Sequence, residues 1–251
     1  MRRCLLVTTA LLPALVQAQV TVSVDTTADA HAISPLIYGI NFASSAQVTQ
    51  GGLTLTRWGG NATTRYNWQE DVSNTGQDYY FENLPGCWGT GGNYCNPVPS
   101  DPKTNSGANA FLTAAGQLGV SALFTVPTMG LVAKAPKYGH PFDCGCPKTL
   151  TPVQDSFDPY DSNCGNGWTG GGTIRVACDG ASISTAFGAS EAQAWVTYLV
   201  GKYGSSNGRR IYQLDNEPNL WSSTHYDAHP SPTTYDELWT KMRDTGAALL
   251  V

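Results

Sequence analysis

Charge is scarce in this chain: only 13% of its 251 residues are Asp, Glu, Lys or Arg, about half the usual share. That composition argues against a protein that grips nucleic acid through its phosphates, which needs a dense basic surface. Long apolar runs are scarce too. Past the N-terminal segment no stretch approaches the roughly 20 apolar residues a membrane span takes. A Gly-rich phosphate loop is also missing. The strand-like segment Leu36–Phe42 runs on into Ala43, without the glycine spacing that announces a dinucleotide fold after its first strand.

What is there suits an exported globular protein. Hydrophobic residues make up 41% of the chain, enough for a core, and the polar surface must come from Gly, Ser, Thr, Asn and Gln. The length allows one large domain or two small ones. The segment MRRCLLVTTALLPALVQA has a basic start at Arg2 and Arg3, an apolar middle and a small-residue site ending at Ala18. It reads as a secretory signal peptide over residues 1–18, with the mature chain starting at Gln19.

Export changes the meaning of the cysteines. With Cys4 removed, six remain: Cys87, Cys95, Cys144, Cys146, Cys164 and Cys178. An even count in an exported chain reads as disulfides, and six cysteines allow about 15 pairings. Cys87 is expected to pair with Cys95. Cys144-Gly-Cys146 is expected to reach to Cys164 and Cys178, leaving no free thiol. A zinc site on the C-x-C is the rival reading. Residues 136–182, rich in Gly, Pro, Asp and Asn, read as a stapled irregular insertion walling a site.

Periodicity orders the rest. Gln19–Val24 alternates as a half-buried strand would. Buried strands are expected at 36–42, 53–58, 120–126 and 211–214, and helices at 109–118, 190–203 (with Ser190 as N-cap) and 235–250. Alternation of this kind implies parallel strands joined by helices, the α/β class. Polar residues gather where each strand ends: Asn41, then Arg57 to Asn61, then Thr128, then Asn216-Glu217. Parallel α/β folds build their sites there. The expected architecture is a (β/α)8 barrel of which this chain holds the first half, over residues 34–251. Residues 19–33 would give a strand to a small β-domain.

The motifs then become familiar. YGINF, LTRWGGNATTRYNW, YYFEN and YQLDNEPNLW…THYDAHPSPTTYDEL resemble glycoside hydrolase family 44, secreted endo-β-1,4-glucanases and xyloglucanases. The resemblance implies a polysaccharide substrate, no cofactor, no metal, no nucleic-acid or membrane partner, and a monomer. It makes Glu217 the general acid/base at the end of the fourth strand. Glycoside hydrolysis uses two carboxyl groups flanking the scissile bond, and the second would come from a later strand, beyond Val251. Asn216 would hydrogen-bond the sugar 2-hydroxyl, and Arg57 would hold the nucleophilic carboxylate ionised. Trp58, Tyr66, Trp68 and Trp221 would offer aromatic planes to sugar rings. Asn61 falls in the expected groove. It also opens an Asn-Ala-Thr sequon, expected to stay unmodified because a glycan there would block the groove. His225-Tyr226-Asp227-Ala228-His229 looks like a metal cluster, but hydrogen bonding that shapes the loop is the expected role. The alternative to an enzyme is a non-catalytic secreted polysaccharide-binding protein, for which Glu217 in its motif has no use, or an inactive fragment.

The signal-peptide reading carries its own test. Intact-mass measurement of the secreted product should match a chain that begins at Gln19, and a product that keeps Met1 would count against export by this route.

Overall fold

The computed structural model describes residues 20–29, 31–86, 98–205 and 209–250. The described residues up to Ser34 and those from Pro35 onward form separate compact units. In the first, the alternating segment Val20–Val24 forms no strand. Val20, Val22 and Val24 are all exposed. Alternation makes a strand only where a neighbour supplies ladder partners, and among the described residues this segment has none.

The second unit is α/β, built on four parallel strands: β1 (Gly39–Asn41), β2 (Leu55–Trp58), β3 (Ser121–Val126) and β4 (Arg210–Leu214). They lie side by side in chain order, with no reversal. The register sets Asn41 opposite Arg57, Arg57 opposite Leu123, and Leu214 opposite Val126. β1 and β2 approach so closely at Gly39 that a Cβ there would lie 2.7 Å from the Leu55 carbonyl oxygen. The expected strand at 36–42 is shorter because Pro35–Ile37 turns as a 3-10 helix before it.

Local chemistry accounts for the helices. α1 (Ser45–Gly51) opens on Ser44 with a reciprocal capping box from Gln47 and closes on Gly52 at φ 58°, a left-handed position that favours glycine. α2 (Asn61–Thr64) is a single turn after β2. α3 (Gly107–Leu118) is capped by Ser106. α4 (Ala189–Tyr203) follows Gly188, whose N–H donates to Glu191 Oε2 at 2.8 Å. Ser190 therefore lies inside the helix and is not its cap, because Glu191 already serves the first free N–H. α5 (Trp221–Thr224) is short, and α6 (Tyr235–Ala248) is capped by Thr234. No helix among the described residues is long and apolar enough to cross a membrane.

The core sits between the sheet and helices α3 and α4. Phe124 of β3 is fully buried, with Trp195 of α4 edge-on at 5.1 Å and Trp58 stacked at 5.9 Å. Trp68 stacks on Trp195 at 6.2 Å. Such aromatic pairs each contribute about 0.5–1.5 kcal/mol beyond the area they bury.

The insertion at 136–182 is cross-linked once among the described residues. Cys146 and Cys178 are bonded at 1.99 Å. Cys144 and Cys164 are buried free thiols, so the expectation that both C-x-C sulfurs reach disulfide partners holds for one of them. The zinc reading of the C-x-C fails with it, since the bonded Cys146 sulfur cannot ligate a metal as thiolate. The expected Cys87–Cys95 pair lies outside the described residues.

A buried ion pair ties the insertion down. Arg65 and Asp227 meet at 2.8 Å with both side chains fully buried. The same guanidinium donates to Asn74 Oδ1, to the Ser184 hydroxyl and to the Gly180 carbonyl. It thereby joins the residue after α2 to the end of the insertion and to the loop after β4. Gly180 stays bare because a Cβ there would lie 2.0 Å from Asp227 Oδ2. Arg65→Met should leave the Asp227 carboxylate buried without its cation and lower stability by about 3–5 kcal/mol. Equilibrium urea unfolding checks this, and a change within about 0.5 kcal/mol, the usual range of a surface substitution, would contradict it.

Candidate active site

Glu217 follows β4 by three residues, and the backbone there does something unusual. Asp215 and Glu217 both have positive φ, 61° and 44°. Left-handed backbone costs a non-glycine residue roughly 1–2 kcal/mol and persists only where surrounding contacts fix it. Those contacts belong to Asp215. Its buried Oδ1 accepts from the Thr64 hydroxyl (2.7 Å), the Asn216 N–H (2.7 Å) and the Trp221 indole N–H (3.4 Å). Its Oδ2 accepts from the Thr128 N–H (2.5 Å), the Thr128 hydroxyl (3.1 Å) and the Met129 N–H (3.0 Å). Burial pushes the Asp215 carboxyl up from its ordinary range, and the hydrogen bonds from Thr64, Thr128 and Asn216 act in the opposite direction. After Glu217, Pro218 opens a 3-10 turn and the Leu220 N–H donates to the Glu217 carbonyl at 2.8 Å. The strand end is thus clamped on both sides, and the Glu217 side chain is left exposed.

Its neighbours form a hydrogen-bonded row. Asn216 Nδ2 donates to Glu217 Oε2 at 3.2 Å and to Asn61 Oδ1 at 3.1 Å. Asn216 Oδ1 accepts from Arg57 Nη2 at 2.7 Å. Arg57 also donates through Nη1 to Asn41 Oδ1 (3.2 Å) and through Nε to Gln213 Oε1 (3.1 Å). Asn61 Nδ2 in turn donates to Asp78 Oδ2 at 2.6 Å. All three donor groups of Arg57 meet neutral oxygens, and among the described residues no carboxylate lies within 4.0 Å of it. The row therefore carries an unpaired positive charge beside an exposed carboxylate.

The structure brings Glu217, Asn216, Arg57 and Asn61 together at one end of the sheet. It does not bring the tryptophans. Trp68 and Trp221 are buried at 6% and 1% exposure. Trp68 packs on Trp195 and Tyr198, and Trp221 uses its N–H on Asp215. Neither offers a face to a sugar, because large rings close to a core gain more by filling it. Trp58 is half-buried among Phe42, Phe111 and Phe124, and Tyr66 is buried with its hydroxyl on Asp71. The polar members of the expected constellation meet, while most of its aromatic members belong to the core.

The residues of the His225–His229 loop go separate ways. Asp227 pairs with Arg65, and His229 lies 2.8 Å from Glu237. Burial, with Arg65 beside it, pushes the His225 imidazole down to about 3, so its ring is neutral at any ordinary pH. Sequence reading missed Gln213, Asp78 and the anchoring role of Asp215. Gln213 did leave a signal, as a polar residue inside an otherwise apolar strand.

Comparison with known proteins bears on this geometry. The family pattern of glycoside hydrolase family 44 matches residues 72–250. The chain is 30% identical over 250 residues to endoglucanase A of Paenibacillus lautus, a match covering 95% of this chain and 32% of that protein. It is 29% identical over 239 residues to the β-mannanase/endoglucanase A of Caldicellulosiruptor saccharolyticus, covering 88% of this chain and 15% of that one. Among solved structures it superposes on CelM2, a bifunctional glucanase-xylanase from a metagenome library, with a TM-score of 0.75 and 31% identity over 87% of this chain and 40% of that one. The chain thus spans about a third or less of the curated relatives it matches. With the family pattern running from Val72 through Glu217 and into α6, the chain belongs to glycoside hydrolase family 44.

Proposed function

We propose that this chain is the N-terminal part of a secreted enzyme that hydrolyses internal β-1,4 bonds of a glucan-type polysaccharide, with Glu217 as general acid/base. The observation that carries the proposal is the exposed Glu217 carboxylate at the end of the fourth parallel strand, held by Asn216, which Arg57 holds in turn. In this reading Glu217 protonates the leaving oxygen and then, as carboxylate, takes a proton from the attacking water. Asn216 has its amide aligned along the same edge and would meet the sugar 2-hydroxyl. Arg57 would pair with the nucleophilic carboxylate, and its unpaired charge supports that role. Asn61 extends the row toward the groove. The names of the relatives span glucan, xylan and mannan, which share a β-1,4-linked backbone.

The finer fold belongs to the same proposal. Side chains of β2 and β4 meet across β3, Arg57 against Gln213. Neighbouring strands lie about 4.8 Å apart, so two long side chains can touch across one strand when both lie on the same face of the sheet, which is how a barrel interior would use them. In a (β/α)8 barrel, alternate strands supply each interior layer, and strand order follows chain order as it does here. The chain would then hold the first four strands. The second carboxylate would come from a later strand, outside these residues. Of the acids of this chain that could have served instead, Asp215 and Glu82 are buried and Glu70 is half-buried. A signal peptide at residues 1–18 would route the product outside the cell.

Two measurements test the mechanism. In the complete enzyme, Glu217→Gln keeps the shape of the side chain and removes the transferable proton. Turnover on unactivated glucan should fall by about 10²–10⁴, with a far smaller loss on an aryl glycoside whose leaving group needs no protonation. Near-normal hydrolysis of polysaccharide by that variant would remove Glu217 from the reaction. Independently, proton NMR of the first-formed sugar should show the β-anomer, because a retaining mechanism is expected with the two carboxyl groups about 5–5.5 Å apart. An initial α-anomer would mean inversion.

A further inference from the structure

A second cluster of acids lies outside the row at Glu217. Glu82 sits next to the strand Asn83–Pro85, and an antiparallel bridge sets it opposite Cys144. Its side chain is fully buried, and neither carboxylate oxygen has a hydrogen-bond partner. Facing it is a loop closed on itself. The Asp158 N–H donates to the Cys164 carbonyl at 2.8 Å, and the Cys164 N–H donates to the Asp161 carbonyl at 2.9 Å. Each aspartate there uses one oxygen nearby. Asp158 Oδ1 accepts from the Tyr79 hydroxyl and the Tyr160 N–H, and Asp161 Oδ1 from the Asn163 N–H. The other oxygens are left over: Asp158 Oδ2 is buried without a partner, and Asp161 Oδ2 has the Cys164 sulfur at 3.8 Å. One ligand atom each from Glu82, Asp161 and Cys164 falls within 4.8 Å of the other two. Among the described residues no lysine or arginine lies within 4.0 Å of these acids.

Buried ionised carboxylates without partners are costly, and proteins resolve the cost by protonating them, by pairing them or by coordinating a metal. The donor set decides which metal. Calcium takes six to eight oxygens and no sulfur, whereas zinc takes thiolate and carboxylate together in a four-coordinate shell. With zinc–sulfur near 2.3 Å and zinc–oxygen near 2.1 Å, neighbouring tetrahedral ligands sit roughly 3.6 Å apart, close to the Asp161–Cys164 separation. We propose that Glu82, Asp161 and Cys164 bind a Zn²⁺ ion, with the free oxygen of Asp158 beside them. On binding, the Cys164 S–H bond breaks, its proton goes to solvent, and the sulfur keeps the electron pair that forms the bond to zinc; nothing is oxidised or reduced. The ion would clamp the residues around Asn83–Pro85 to the insertion, with Cys146 taking no part because it is bonded to Cys178.

The test is metal content after loading. The purified protein, incubated with zinc chloride and passed into metal-free buffer, should retain one zinc per chain by inductively coupled plasma mass spectrometry. X-ray absorption at the zinc edge should show a sulfur neighbour near 2.3 Å. Glu82→Gln and Cys164→Ser should each weaken retention by at least about tenfold, as loss of a ligand or its support does. The absorption spectrum of the unsubstituted protein decides the matter if either variant fails to fold. No retained zinc, a shell of nitrogen and oxygen alone, or peptide mapping that finds Cys164 joined to Cys144 in a disulfide would each overturn the proposal.

Discussion

The Asp215 carboxylate collects hydrogen bonds from Thr64, Thr128, Met129, Asn216 and Trp221. These residues belong to the single-turn helix after β2, the segment after β3, the segment after β4 and the start of α5. One buried group therefore sets the relative positions of three strand ends. It is also what holds Asp215 and Glu217 in left-handed backbone, since six donors converging on one carboxylate outweigh a torsional penalty of roughly 1–2 kcal/mol at each residue. Glu217 leaves the strand end in its direction because the residue two places before it is fixed.

Arg57 extends that order across the sheet. Its guanidinium touches Asn41, Gln213 and Asn216, so β1, β2 and β4 are linked through one planar group. A lysine could not do this, because its single ammonium cannot reach three separated acceptors at fixed angles. The result is a hydrogen-bonded polar row along the strand ends rather than a set of independent side chains. Arg65, the residue after α2, plays a corresponding part by joining the end of the insertion to the loop after β4.

The aromatic residues divide differently from the polar ones. Trp68, Trp195, Phe124 and Tyr66 are core members, and Trp221 is buried under the Asp215 anchor. Motif proximity suggested that tryptophans near the site would line it. Packing decided otherwise, because a four-stranded sheet covered by two helices has a cavity to fill and the largest rings fill it best.

By itself the sequence determined the alternation of parallel strands and helices, their order, and the end of the sheet where the polar residues would gather. It marked Glu217, Asn216, Arg57 and Asn61. Those features are local: periodicity of two or of 3.6, apolar runs closed by proline or glycine, and acids and amides placed just after a strand. Tertiary structure decided what depends on partners distant along the chain. The segment Val20–Val24 alternates but has no described strand to pair with. Ser190 gave way to Glu191 at a helix start. Cys146 found Cys178, while Cys144 and Cys164 stayed as thiols. Tryptophans read as sugar platforms turned into the core, and Asp215 became the anchor of three strand ends. Glu82, Asp158, Asp161 and Cys164 carry no shared motif, and only the folding of the insertion against the residues around Asn83–Pro85 brings them together. Burial and charge pairing are properties of three-dimensional neighbours, and a chain read in one dimension shows which residues can make them but not which ones meet.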